Sequence, residues 1–361
     1  MVEFLTRVGI SSNYNEPMTK EQINRLSEDN LKKIIKNIAI THNLVNIQQV
    51  KGKDLEIVDT DKYDYILCYS FPCQDLSLAG KGKGMKDTST RSGMLWEVER
   101  ILTECYELGT MPQILLMENV PQVHGTDNVQ DFNKWQLRLE ELGYKNYFQD
   151  LIATDYGIPQ TRNRCFMVSI LGDYSYTFPK PIPLKLKLKD MLEDNVDKKY
   201  YLSDKQIKDI QSWNAYEKPL ENMEKVDKSN IGPTLTTRSG AYAAGMILVK
   251  NATKQGYLEA TTGDGKDISS RMEYHRGNVQ KDKIQTLTTQ CEKDVGVVTS
   301  DIRIRKLTPR EAFRLMGVKD EDFEKVAKNQ SDSSLYHLAG DSIVVDVLCH
   351  IFKQLIGGDE E

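Results

Sequence analysis

The chain has 361 residues, of which 39% are hydrophobic and 28% charged, and a formal net charge of −5, the composition of an ordinary globular protein. No apolar run reaches the length of about 18 residues that spans a membrane, and the N-terminus has no signal-peptide pattern, so we expect no membrane association and a cytoplasmic location. The six cysteines and five histidines lack the spacing of a disulfide framework or a metal site, so we expect no metal. The acidic charge excludes a uniformly basic surface but allows a local basic cleft for nucleic acid.

The first half of the chain predicts helices followed by an α/β domain. Residues 1–50 have a helical pattern, with a capping box between Thr19 and Gln22 and an apolar face formed by Ile23, Leu26, Ile34, Ile35 and Ile38. Short apolar runs then alternate with helical patterns as far as residue 172. The predicted strands are 45–50, 65–69, 114–117 and 165–170, and the predicted helices are 92–108 and 131–142. This alternation favours a mostly parallel sheet covered by helices.

The second half of the chain changes in character after a proline-rich linker at 178–183. Residues 184–300 are rich in turns and β-branched residues, and the sequence TLTT occurs at 234–237 and 286–289, each time before a predicted strand, at 245–249 and 295–298. Thr308, Pro309 and Glu311 then have the pattern of a helix start, and a last helix is predicted from 342 to 355. We therefore expect an α/β domain at 1–183, a β-rich domain at 184–300, and a segment at 301–361 that returns to the first domain.

Two reactive side chains follow predicted strands of the α/β domain. Cys73 lies on the loop after the strand at 65–69, and Glu118 directly follows the strand at 114–117. Because ligands collect at the carboxyl ends of strands in open α/β sheets, we expect the thiol and the carboxylate at the same edge. A thiol beside a carboxylate is the pairing that nucleophilic attack with proton transfer requires.

Five short motifs resemble those of the cytosine-C5 DNA methyltransferases, in that family's order and at similar spacing. They are SFPCQ at 70–74, MENV at 117–120, QTRNR at 160–164, RKLTPRE at 305–311 and GDSIVV at 340–345. The resemblance implies a Rossmann-like, S-adenosylmethionine-dependent methyltransferase domain with a small β-rich target-recognition domain. It also implies methyl transfer to C5 of a cytosine in a specific sequence of double-stranded DNA, flipped out of the duplex because its ring is inaccessible inside it.

The resemblance assigns roles to four catalytic residues. Cys73 supplies the thiolate that adds to C6 of cytosine and makes C5 nucleophilic. Glu118 contacts the ring nitrogen N3 and the exocyclic amine, while Arg162 and Arg164 hold this carboxylate and the base oxygen O2. The other cysteines keep a structural interpretation.

Further positions match the family's ligand contacts. By resemblance, Asp54 binds the adenine amine of the cofactor, and the other cofactor contacts are Pro72, Leu95, Asp341, Ser342 and Ile343, where Asp341 replaces the usual asparagine. Residues 74–94 follow the nucleophile and predict a glycine-hinged lid that meets DNA through Gln74, Ser77, Lys81, Lys83 and Arg91. In the recognition region, the candidate DNA contacts are Thr236, Thr237, Arg238, Arg271, Arg276, Thr288, Thr289 and Gln290.

The strand and glycine-rich turn with which the family opens do not match the start of this chain. We therefore expect a catalytic domain that is incomplete at its N-terminus, with an exposed sheet edge covered by a partner chain or by oligomerisation. Alternative functions are a catalytically incomplete DNA-binding subunit or a fragment of a split methyltransferase, and an RNA cytosine-C5 methyltransferase. A cysteine hydrolase is disfavoured because no histidine motif accompanies Cys73.

Overall fold

A computed structural model of the chain describes residues 1–12, 16–72, 92–202, 246–250, 257–261, 263–268, 278–299 and 304–357. The molecule divides into two compact units. The first unit comprises Met1–Gln149 and Cys165–Ser175, and the second comprises Asp150–Arg164 and Tyr176–Glu361.

The described residues of the first unit form five α-helices and most of a four-stranded sheet. Its helices are α1 (Val2–Val8), α2 (Lys20–Asn24), α3 (Glu28–Thr41), α4 (Leu95–Leu108) and α5 (Val129–Glu141). The strands of the sheet are β1 (Ile66–Ser70), β2 (Ile114–Asn119), β3 (Tyr144–Ile152) and β4 (Asn163–Leu171). Short 3₁₀ helices lie at Ile47–Gln49, Gly52–Leu55, Ser92–Met94 and Pro121–His124. The predicted helices at 92–108 and 131–142 are confirmed to within a few residues.

The sheet has the order β1-β2-β4-β3 and is mixed, so the predicted mostly parallel sheet is wrong in this respect. β1 and β2 run parallel, whereas β2 and β4 run antiparallel. The reason is the connection between β3 and β4, which contains a single 3₁₀ turn, Ala153–Tyr156, and no α-helix. A connection without a crossover helix does not carry the chain back for a further parallel strand. β3 itself was not predicted, because its exposed and buried residues do not form an apolar run.

The strand predicted at 45–50 is absent, and a 3₁₀ turn lies there instead. The side chain of Asn43 accepts a hydrogen bond from the amide of Val45, and that of Asn46 accepts one from Gln48, at 2.7 and 3.0 Å. Such bonds compete with a strand ladder for the backbone groups. Val45 also has a φ of 69°, which a β-branched residue adopts only when its surroundings impose it.

The core of the sheet lies against one face of α4 and α5. Leu95, Val98, Leu102 and Cys105 form the buried stripe of α4, with the i, i+3, i+4 spacing of a helix that packs on a sheet. From α5, Trp135 is fully buried and its indole nitrogen donates to the Tyr69 hydroxyl at 3.0 Å. Each such side chain contributes about 1.5–3 kcal/mol by leaving water. A separate small core joins α1, α2 and α3, and it confirms the predicted apolar face around Ile23.

In the second unit, the described residues form two further sheets and the C-terminal helices. β5 (Met246–Lys250) pairs with β6 (Tyr257–Thr261), and a second sheet has the order β10-β9-β7-β8, formed by β7 (Gly265–Asp267), β8 (Val279–Gln280), β9 (Val295–Val298) and β10 (Ile304–Lys306). The strands predicted at 245–249 and 295–298 are thereby confirmed. The remaining helices are α6 (Cys291–Asp294), α7 (Pro309–Arg314), α8 (Asp320–Ala327), α9 (Asp332–Asp341) and α10 (Val345–Leu355). Among the residues that the structure describes in this unit, 3₁₀ turns lie at Ala153–Tyr156, Leu188–Met191 and Lys198–Tyr200.

The C-terminal helices begin where local chemistry places them. Thr308 and Glu311 form the predicted capping box of α7, with Pro309 at its first turn. The last helix begins at Val345 rather than at 342, because Ser342 and Val344 have extended backbones. Residues Asp332–Leu355 are together long and apolar enough to cross a membrane, but this break divides them into two helices, each shorter than the about 20 residues that a span requires.

Candidate active site

The carboxyl ends of β1 and β2 lie side by side. Ser70 at the end of β1 is the register partner of Glu118 on β2, and its hydroxyl donates to Glu118 Oε2 at 3.3 Å. Glu118 is only 8% exposed, so its carboxylate lies in a shielded position at the strand ends. Phe71 and Pro72 continue the chain from β1 towards Cys73, which lies outside the described residues. The described geometry therefore carries the chain that precedes Cys73 to the end of the strand that holds Glu118.

Asn119 holds the chain between β1 and the position of the thiol. Its side-chain amide donates to the carbonyl oxygen of Phe71 at 3.0 Å, and its Oδ1 accepts from the Val120 amide at 2.8 Å. The residue is almost completely buried, where an unsatisfied amide would cost about 1–3 kcal/mol. No role was predicted for Asn119, although its place beside Glu118 in MENV is the signal that could have identified it.

The cofactor candidates of the first unit differ in what they contact. Asp54 lies on the 3₁₀ turn Gly52–Leu55, where Oδ2 accepts from the Lys51 amide at 2.9 Å. Leu95 opens α4 and is fully buried in the sheet core, and Pro72 is exposed. Among these three, Asp54 offers the only polar side chain.

The segment that carries Asp54 is held tightly on α4. A Cβ at Gly52 would lie 2.8 Å from the backbone nitrogen of Cys105, so only glycine fits at this contact. The Gly52 amide donates to Glu104 Oε2 at 2.7 Å, and Arg100 donates to the carbonyl oxygens of Ile47 and Val50. The ion pairs of Arg100 with Glu97 and Glu104 complete this attachment. A ligand bound by Asp54 would therefore meet a segment with little freedom to move.

The QTRNR motif lies in the second unit, and its two arginines have different surroundings. Arg162 is 5% exposed and donates to the carbonyl oxygens of Leu287, Gly340 and Ser342, at 3.0, 3.2 and 2.9 Å. Arg164 is half-buried and donates to the carbonyl oxygen of Asn163 at 2.8 Å. The guanidinium of Arg162 thus donates hydrogen bonds to backbone carbonyls of its own unit, whereas the side chain of Arg164 is more exposed to solvent.

The other candidates of the second unit lie around the same segments. Asp341 is exposed and pairs with Nδ1 of His337 at 2.9 Å, while Ser342 and Ile343 are half-buried. Thr288 and Gln290 are exposed, and the Thr288 hydroxyl accepts from the Gln290 amide at 3.2 Å. The remaining candidates lie outside the described residues, namely Gln74, Ser77, Lys81, Lys83, Arg91, Thr236, Thr237, Arg238, Arg271 and Arg276.

Three of the cysteines to which we gave a structural interpretation, Cys68, Cys105 and Cys291, have thiol pKa values raised by burial. Cys105, Cys165 and Cys291 are buried. Burial raises the pKa of the Cys105 thiol, and burial together with the neighbouring Glu292 raises the pKa of Cys291 to about 12. Burial also raises the pKa of Cys68, although this residue lies on the exposed face of β1. Because the thiolate is the reactive form, these thiols are poor nucleophiles at neutral pH.

Comparisons with known proteins agree with the motifs. Residues 9–357 match the sequence model of the family described as C-5 cytosine-specific DNA methylase. The chain is 32% identical over 359 residues to Type II methyltransferase M2.ScrFI of Lactococcus lactis subsp. cremoris, covering 98% of this chain and 82% of that protein. It is 30% identical to Orphan methyltransferase M.SssI of Spiroplasma monobiae, covering 99% and 82%.

Solved structures with this fold are more distant in sequence. The Entamoeba histolytica methyltransferase EhMeth matches with a TM-score of 0.57 and 15% identity, over 90% of this chain and 86% of that one. The S. pombe Dnmt2 methyltransferase matches with a TM-score of 0.56 and 16% identity, over 87% and 83%. At this identity the likeness establishes the α/β methyltransferase fold.

Proposed function

This chain belongs to the C-5 cytosine-specific DNA methylase family and is a DNA cytosine-C5 methyltransferase, and we propose that it acts on a cytosine flipped out of double-stranded DNA, with S-adenosylmethionine as methyl donor. The observation that carries the proposal is the pairing of Ser70 with Glu118, because Ser70 lies only three residues before Cys73. Relatives named as methyltransferases of both the Type II and the orphan kind support the DNA substrate, so the RNA and non-catalytic alternatives are not favoured.

The proposed reaction divides between a thiolate and a carboxyl group. The Cys73 thiolate adds to C6 of the cytosine, forming a C–S bond and moving the electron pair of the double bond to C5. Glu118 holds N3 and the exocyclic amine and neutralises the charge that develops there during the addition. Bound S-adenosylmethionine would supply the methyl group to C5 and would leave as S-adenosylhomocysteine. Loss of the C5 proton to solvent water would then re-form the C5–C6 double bond, and the electron pair of the C–S bond would return to sulfur as the Cys73 thiolate. Arg164 is the proposed cation at the base oxygen O2.

Replacing Glu118 by glutamine is expected to lower the single-turnover rate of methyl transfer by about 10²–10³-fold. The reason is that an amide can neither give a proton to N3 as a carboxyl group does nor neutralise the charge that develops there. Glutamine has nearly the same shape and can keep the contact with Ser70. The measurement is transfer of a labelled methyl group to duplex DNA under single-turnover conditions. Glu99→Gln is the matched control, since Glu99 pairs with Arg138 on the helix surface. Equal rates for Glu118→Gln and this control would contradict the role.

The two carboxylate oxygens of Asp54 suit the proposed contact with the cofactor. Its Oδ2 caps the turn, while Oδ1 accepts no hydrogen bond within the described part of the chain. A half-buried carboxylate with one open oxygen suits an exocyclic amine such as that of adenine. The proposed contacts of Pro72, Leu95, Ser342 and Ile343 are apolar or backbone contacts, and Asp341 would contribute a carboxylate that lies 2.9 Å from Nδ1 of His337.

We propose the domain division 1–183, 184–300 and 301–361, and a cytoplasmic location. The strands β5 to β9 support a β-rich recognition domain, since all of them lie between residues 246 and 298. The relatives support the location, because DNA methylation requires access to the chromosome.

We further propose that a partner chain or a second copy covers the outer edge of β1. Within the described residues β1 pairs only with β2, and its Ile66, Cys68 and Ser70 form an exposed face, with Ile66 38% exposed. An unprotected edge strand with an apolar face is a template for pairing with another strand.

Sedimentation velocity at micromolar concentration is therefore expected to reveal association that weakens on dilution. Ile66→Lys should shift the protein to monomer, because an edge lysine opposes strand pairing. Ile40→Lys is the matched control, since Ile40 is a still more exposed isoleucine on α3. A monodisperse, stable monomer of the unmodified chain would count against a second copy.

A further inference from the structure

Within the second unit, the segment 159–162 before β4 binds the loop 284–290, which lies far along the chain. The Thr161 amide donates to the carbonyl oxygen of Ile284 at 2.9 Å, and the Ile284 amide donates to that of Pro159 at 3.0 Å. Gln160 is fully buried, and its Oε1 accepts from the Leu287 amide at 3.0 Å while its Nε2 donates to the carbonyl oxygen of Leu315 at 2.7 Å. The loop 284–290 is thus bound through both its backbone and its neighbours' side chains.

Arg162 joins this loop to a second segment, the end of α9 with its C-cap Ser342, called here the turn 340–342. One terminal nitrogen of its guanidinium donates to Leu287 of the loop, and the other donates to Gly340 and Ser342 of the turn. A planar guanidinium can direct hydrogen bonds to several acceptors at once, whereas a lysine ammonium acts as a compact charge on a flexible stem. Because the site is buried, each carbonyl that loses its partner carries a desolvation cost.

The loop and the turn also touch directly. A Cβ on Gly340 would lie 2.3 Å from the carbonyl carbon of Thr288 and 2.3 Å from the nitrogen of Thr289, so the loop backbone packs against a residue that has to be glycine. The side chains of Thr288, Gln290 and Asp341 are exposed. The loop and the turn therefore share a close backbone contact while their exposed side chains remain accessible to ligands.

We propose that Arg162 is a positioning residue that couples DNA binding at loop 284–290 to the conformation of turn 340–342. The inference rests on the proposed function, in which Thr288 and Gln290 meet DNA and the turn meets the cofactor. The predicted contact of Arg162 with the base stays a prediction, and the inference rests on the three hydrogen bonds from this guanidinium to backbone carbonyls. When DNA binds and orders the loop, the guanidinium of Arg162 transmits this order to the turn. The turn then adopts the conformation that binds the cofactor only when the DNA substrate is bound.

The test is hydrogen exchange of the full chain with and without a duplex that carries its methylation site, after a mobility-shift assay has established binding. In the unmodified protein, DNA is expected to slow exchange about tenfold at both 284–290 and 338–344, as a coupling of ordinary size would. In Arg162→Lys the response at 284–290 should persist, while that at 338–344 falls below about twofold. Arg314→Lys is the matched control, since Arg314 also donates to backbone carbonyls, those of Met191 and Leu192.

Gly340→Ala approaches the same coupling from the turn and decides the matter if Arg162→Lys does not fold, as judged by circular dichroism. The added methyl group would push the Thr288–Thr289 peptide away, and the response at 338–344 should again fall. Responses equal to those of the unmodified protein in either folded variant would overturn the coupling and leave the proposed function intact. Failure of the unmodified protein to bind any duplex would overturn the DNA part of the proposed function, and this inference with it.

Discussion

Cys73→Ser is expected to lower methyl transfer by at least about 10³-fold, while the affinity for duplex DNA stays within about threefold. A serine hydroxyl has almost no anionic form at neutral pH, whereas a thiol in a favourable site ionises readily and its thiolate is intrinsically nucleophilic. The thiol takes part in the covalent step, and the binding of the phosphate backbone depends on other residues.

Two measurements distinguish an effect on the covalent step from an effect on the binding of duplex DNA. In the presence of S-adenosylmethionine, duplex DNA carrying 5-fluorocytosine at the target should form a covalent adduct with the unmodified protein and none with Cys73→Ser, because fluorine at C5 cannot be eliminated after methyl transfer. A mobility shift should be similar for both proteins. Cys349→Ser is the control, because Cys349 is an exposed cysteine on α10 to which no role is assigned. Equal transfer by Cys73→Ser and Cys349→Ser would refute the assignment of the nucleophile.

Glu311→Gln is expected to lower the free energy of unfolding by about 3–5 kcal/mol, because it leaves a buried arginine without its counter-charge. Both oxygens of Glu311 accept from Arg305, at 2.7 Å each, and both residues are almost completely buried. The same carboxylate accepts from the amides of Thr308 and Glu193, at 2.8 Å each. It therefore joins the capping box of α7 to β10 and to the first part of the segment 184–300.

Urea unfolding followed by circular dichroism measures this loss. The control is Glu324→Gln, which removes the charge from an exposed carboxylate paired with Arg310 and is expected to cost less than about 1 kcal/mol. Similar losses for the two variants would mean that the buried pair contributes no more than a surface pair does.

The elements that could be predicted from sequence are those whose signals are local. The capping boxes at Thr19 and Thr308 depend on side chains three residues apart, and both occur in the structure. The apolar stripe of α4 and the strand β9 were likewise predicted from periodicity within a short window. The strand predicted at 45–50 was wrong because the side chains of Asn43 and Asn46 accept hydrogen bonds from the backbone. These bonds override the tendency of the apolar run to form a strand.

The candidate site divides in the same way. Cys73, Glu118, Arg162 and Arg164 were predicted as catalytic residues because each lies in a short motif whose residue types suit the chemistry. Asn119 and Gln160 lie in those motifs as well, but their roles depend on partners far along the chain, the carbonyl oxygen of Phe71 and the amide of Leu287. A sequence names such a residue without naming its partner.

By itself the sequence determined the family, the order of its motifs and the residue types that the reaction needs, since these are properties of short segments. Only the tertiary structure decided that β4 runs antiparallel to β2, that Ser70 meets Glu118, and that Arg162 contacts the backbone of Leu287, Gly340 and Ser342. The partners of Arg162 lie between 125 and 180 residues away. Contacts over such separations form only when burial of the whole core compensates the loss of chain entropy, so no local pattern encodes them.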